Sequence, residues 1–196
     1  MNLEPNQQLA TRWLALGTFV AFVFNTFATQ ILNASYAKSL FPVPYFEAQL
    51  SFDASKLKGW YAYLVDHGTL GAYVQTQAID FVFIASVLML HVLALLLISR
   101  LFVEGSRPRR WMVVAAMLSA LAPLFDALEN AVSFVMLANP TGFADGWAML
   151  YSSFAAAKFA MFTFAYVVAA AGVVVGLAMR GRALVAGRDA RNPSNV

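Results

Sequence analysis

The sequence contains no cysteine, which excludes disulfides, zinc-thiolate centres, iron–sulfur clusters and thiol catalysis. It has two histidines, His67 and His91, and no second histidine or cysteine at ligand spacing beside either, so neither a metal site nor multi-haem chemistry is expected. Charge is also scarce: Asp, Glu, Lys and Arg make up 12% of the 196 residues, where about 25% is usual for a soluble domain. Apolar residues take their place. They form 61% of the chain against roughly 45–50% in soluble domains, and they fall in blocks about as long as a bilayer is thick. A soluble enzyme and a disordered chain are thereby excluded. A nucleic-acid binder is excluded too, because the net charge is only +3 and the arginines are placed for membrane topology. No feature calls for a cofactor.

Four segments are long and apolar enough to cross a hydrocarbon core of roughly 30 Å. Their expected bounds are 13–32, 80–100, 111–138 and 147–179, within one membrane domain covering 1–180. The sequence thus predicts an all-α, four-helix transmembrane bundle. With the N-terminus inside, nine basic residues, among them Arg12, Arg100, Arg107, Arg109, Arg110 and Arg180, lie on the cytoplasmic side and three (Lys38, Lys56, Lys58) on the outer side. The positive-inside rule then places both termini in the cytoplasm, as in a bacterial inner-membrane protein. The first apolar run exceeds the 7–15 residues of a signal-peptide core and is read as a retained helix. Residues 181–196 read as a polar, basic, disordered tail.

The one sizeable loop, 33–79, falls on the outer side. Phe41-Pro42-Val43-Pro44-Tyr45-Phe46 forbids a continuous helix there. Ser51 or Asp53 is a candidate N-cap for a short amphipathic helix carrying Leu57, Trp60, Tyr61 and Leu64 at i, i+3, i+4 and i+7, ending before Gly68. This helix is expected to lie on the membrane or over the mouth of the bundle.

Charged residues at membrane depth are costly and point to function. Counting about 1.5 Å per residue from the inner ends puts Asp126, Glu129, Lys158 and Asp80 about 22, 27, 31 and 27 Å outward, with Gln30 at about 26 Å. They converge on the outer third of the membrane. Asp126, Glu129, Asn130 and Ser133 share one helix stripe, which must face protein. Asp80, Ile84, Val87 and His91 form another, and Thr18, Phe22, Asn25 and Thr29 a third. Pro123 removes a backbone donor one turn before Asp126 and is expected to kink the third helix. Three carboxylates around one ammonium sum to a formal −2, an excess that a proton, a cation or an amine ligand would relieve. The plain structural alternative has Lys158 snorkelling to the interface and pairing with Glu129. Gly172 and Gly176 give a small-xxx-small face that suits close packing in the bundle or a homodimer.

In the order Gly71-x-Tyr73, Asp80, Asp126-x-x-Glu129-Asn130 and Lys158, the stretch from Ser51 to Met179 resembles small bacterial four-helix membrane proteins that carry no assigned activity. That resemblance implies that the acidic cluster and Lys158 belong together. A fainter likeness is to the emopamil-binding and sigma-2 receptor superfamily, four-helix proteins whose buried carboxylates bind amines or sterols or act in sterol isomerisation. Phe41-Pro42-Val43 and Trp60-Tyr61 sit in a comparable place, but the first helix here has no carboxylate.

Three functional readings follow. The first is an outward-opening, net-acidic site for a small cationic or amphipathic ligand, drawn from membrane lipids. In it Asp126 and Glu129 are the anionic partners, Asn130 donates a hydrogen bond, Lys158 balances charge, and Asp80, Gln30 and Trp60 complete the wall and lid. The second is a lipid-modifying enzyme using Glu129 or Asp126 as acid/base, with no nucleophile, phosphate-loop or metal motif to fix the reaction. The third is an assembly subunit held through the Gly172 and Gly176 face.

Overall fold

A computed structural model of the chain describes residues 5–189. Among the described residues there are helices and no strands, in the order α1 (Pro5–Ser39), α2 (Tyr45–Gln49), α3 (Ala54–Asp66), α4 (Leu70–Ser99), α5 (Arg107–Leu118), α6 (Leu121–Leu137) and α7 (Gly146–Asp189). Four spans are long and apolar enough to cross a membrane: Gln8–Ser39, Leu70–Ser99, Arg107–Leu137 and Gly146–Ala183. The protein is an all-α, four-helix integral membrane protein.

Every span is longer than expected, for local reasons. α1 passes residue 32 because no breaker follows until Pro42, and its threonines are satisfied within the helix, Thr18 and Thr29 donating 2.8 Å bonds to the carbonyls of Leu14 and Asn25. It stops at Leu40, whose φ of 54° is left-handed, and the Tyr36 hydroxyl clamps the turn by donating to the Val43 carbonyl at 2.8 Å. α4 begins ten residues before Asp80, so much of the expected loop is membrane helix. α7 continues to Asp189, which makes 181–189 helical rather than part of a disordered tail; alanine, leucine and arginine in this stretch are good helix formers. The remainder of that expected tail, 190–196, lies outside the described residues.

The third span is broken into α5 and α6 at Ser119-Ala120. This is the bend expected from Pro123. The proline ring cannot approach the carbonyl four residues earlier, which belongs to Ser119, and the chain closes the gap with a tighter Ala122 to Ser119 bond of 3.4 Å.

The loop between the first two spans is a helical cap with one more helix, α2, than expected. Asp53 caps α3, accepting from the backbone N–H groups of Ser55 (2.9 Å) and Lys56 (3.1 Å). Gly68, at φ 68°, ends it: Gly68 N–H donates to Val65 and Thr69 N–H to Leu64. The buried face of α3, Leu57, Tyr61 and Leu64, packs on Tyr73, Val132, Met136 and Tyr151. The cap therefore sits over the bundle mouth. Lys58 pairs with Asp145 at 2.6 Å and the Phe52 N–H donates to Ser152 at 3.1 Å, fastening the cap to α7.

A second apolar cluster closes the end of the bundle opposite the cap, around Leu95, Phe102, Met112 and Ala116. Gly172 and Gly176 belong to it. A Cβ on Gly172 would come within 2.9 Å of Ile98 and Met112, and one on Gly176 within 2.6 Å of Leu101, so this small-residue face packs on the chain's own α4–α5 turn. Of the two uses expected of this face, packing in the bundle or a homodimer, the contacts here are of the first kind, and both glycines are buried. Arg180 fixes the same end by donating to the carbonyls of Leu101 (3.1 Å) and Arg100 (2.5 Å). The polar cluster lies between these two apolar layers.

Candidate functional site

α6 and α7 pack closely and bring the expected charges together. The Lys158 ammonium lies 2.7 Å from Asp126 Oδ1 and 2.5 Å from Glu129 Oε2. All three are buried, at 4%, 3% and 0% exposure, so Lys158 does not snorkel to the interface. Asn130 donates from Nδ2 to Asp80 Oδ2 at 2.7 Å, joining α6 to α4. Lys158 with Asp126 and Glu129, and Asn130 with Asp80, thus form two adjoining buried groups, whose combined formal charge with every group ionised is −2, from three carboxylates and one ammonium. Lys158 is shared between Asp126 and Glu129. Asp80, by contrast, forms no ion pair among the described residues.

Beside these charges is a cavity of about 360 Å³ bounded by α1, α2, α4, α6 and α7. Asp80, Asp126 and Lys158 form its polar floor, and Glu129 lies behind them, away from the cavity. Its walls are largely aromatic, including Tyr36, Tyr73, Phe83, Phe162 and Tyr166. Gln77 donates to the Tyr73 hydroxyl at 2.9 Å, one turn above Asp80. The site can hold a group that is positively charged at one end and apolar around it, since carboxylate and ring faces both attract a cation.

No family model, curated protein or solved structure matches the chain.

Two expected site residues stand elsewhere. Gln30 is exposed and does not reach the cavity, because it is about 100° around α1 from Thr29, which does line it. Trp60 is half-buried in the cap with its ring 6.1 Å from Phe41, so it braces the cap and is not a lid over the charges. The expected α1 stripe is also only partly inward: Asn25 donates to Ser86 at 3.0 Å, but Phe22 is exposed. His91 is buried below the cavity, edge-on to Phe162 and Tyr166 at 5.5 and 5.3 Å, and holds no metal group among the described residues. His67 is on the surface, its Nδ1 2.8 Å from the Tyr63 carbonyl.

Tyr73, Thr76 and Gln77 were legible in principle. They precede Asp80 by seven, four and three residues and so share its stripe once α4 is extended to Leu70. Tyr151, Phe162 and Tyr166 carry no such signal, because in an apolar span an aromatic that lines a cavity looks the same as one that faces lipid.

Proposed function

We propose that this protein binds a small cationic or amphipathic ligand in the outer half of the membrane, with both termini cytoplasmic, as the arginine distribution supports, in a bacterial inner membrane. The observation that carries the reading is the cavity itself. Its volume is in the range of small-molecule sites, its walls are aromatic, and its floor holds a carboxylate, Asp80, that forms no ion pair among the described residues. Asp80 is accordingly the group that meets the cation, while Asp126 and Glu129 are engaged by Lys158. Asn130 orients Asp80. Acid/base catalysis by Glu129 is less well supported, because Lys158 and Asp126 stand between it and the cavity. An assembly role through Gly172 and Gly176 is likewise weakened by their packing inside the bundle.

The test is thermal unfolding of the purified protein in mild detergent with a small arylalkylamine and with the alcohol of the same shape. At about a hundredfold excess over its dissociation constant the amine should stabilise by roughly 2.7 kcal/mol. The alcohol should shift the protein far less, and Asp80→Asn should remove the difference. Equal shifts from amine and alcohol would show that charge is not recognised.

A further inference from the structure

The cavity is covered outward but open sideways. α2 lies across its outer end, with Tyr45 and Gln49 in its roof. On the flank, α1 runs along α4 and α7 along α6, while α1 and α7 make at most a glancing contact. The residues lining the cavity along this seam are exposed: Thr163 is on the surface and Tyr166 is 61% exposed. Counted from Met179 at the inner end, they stand about 24 and 20 Å outward, inside a hydrocarbon core of roughly 30 Å. The side opening therefore faces acyl chains.

Asp80 stands at about 27 Å, so the carboxylate is farther out than the seam residues by about 3 to 7 Å. An outer-leaflet lipid has the same polarity, with its headgroup outward and its chain pointing to the midplane. Resting on the amine-binding reading above, we infer that the ligand is a bilayer amphipath with an ammonium headgroup. The ammonium meets Asp80 among the aromatic rings, and the chain leaves between α1 and α7 past Thr163 and Tyr166 into the lipid. Recognition is directed at the headgroup charge, and the chain stays in contact with the bilayer.

The absence of cysteine allows a clean test in nanodiscs of the full chain. Thr163→Cys, a substitution at an exposed position, is labelled with a lipid-soluble maleimide in the presence of a long-chain primary alkylamine, a short-chain primary amine, or neither. Binding of both amines is measured in parallel by thermal stability. At about ten times its dissociation constant the long-chain amine should slow labelling about tenfold. The short amine should bind with little protection, and Asp80→Asn in the same background should abolish the protection. If both amines stabilise the protein but neither slows labelling, the site takes amines and the lateral chain path is wrong. If neither amine binds, the amine-binding reading falls with it.

Discussion

Replacing Lys158 with methionine would withdraw the ammonium that Asp126 and Glu129 share. Methionine keeps an unbranched apolar stem and is shorter by the terminal nitrogen alone, so packing changes little and the effect is mainly electrostatic. Lys158 is 4% exposed and sits 2.7 and 2.5 Å from the two carboxylates, which are themselves only 3% and 0% exposed. Removing one partner of a buried ion pair costs about 3–5 kcal/mol because the surviving charge is left uncompensated. Two charges are stranded here, which puts Lys158→Met at the upper end of that range. The assay is reversible unfolding in mixed micelles, with Lys158→Met compared against the triple variant that adds Asp126→Asn and Glu129→Gln. The triple variant should recover most of the loss, because neutral amides of the same shape strand no charge. A Lys158→Met loss below about 1 kcal/mol, the range of exposed ion pairs, would refute the buried network.

Three further outcomes are expected. Gly176→Leu should destabilise by roughly 1–3 kcal/mol, since even its Cβ would meet Leu101 at 2.6 Å; unchanged stability with an altered oligomeric state would place the glycine at an interface instead. Asp53→Ala should cost about 1 kcal/mol in chemical denaturation by removing the two N-cap bonds of α3, and no loss would mean that the cap is held by its buried face alone. Burial pushes the Tyr61 phenol above its ordinary value near 10, so the neutral form contributes stability that is complete below that pH and is lost as pH rises beyond it. Tyr61→Phe should therefore unfold at higher pH than the wild type in an alkaline titration, and an unchanged midpoint would contradict the burial.

The parts of the molecule visible in the sequence are those where one residue type has one physical explanation. The carboxylates of α6 had to share a stripe facing protein, Pro123 had to disturb the turn before it, and Asp53 and Gly68 had to bracket a helix. The meeting of Lys158 with Asp126 and Glu129 followed from depth counting alone, although Lys158 reaches both carboxylates from within the bundle and not from the interface. Other parts depended on packing. α4 starts at Leu70 because the cap and α1 shelter Thr76 and Gln77, whose polarity interrupts the apolar run; Ser35 and Thr76 hydroxyls lie 2.7 Å apart across α1 and α4. Gln30 was misjudged because depth specifies a level on a helix and not a direction around it. Asp80 gained its role only when Lys158 was seen to be occupied by the other two carboxylates, which spacing along one chain cannot reveal.

The most direct measurement is native mass spectrometry of the protein extracted from its own membrane in mild detergent, wild type beside Asp80→Asn. The wild type should carry a bound molecule containing an amine, and Asp80→Asn, equally folded by circular dichroism, should have lost it. A wild type that emerges bare, or that retains the same molecules as Asp80→Asn, would contradict the claim that Asp80 anchors a cationic ligand.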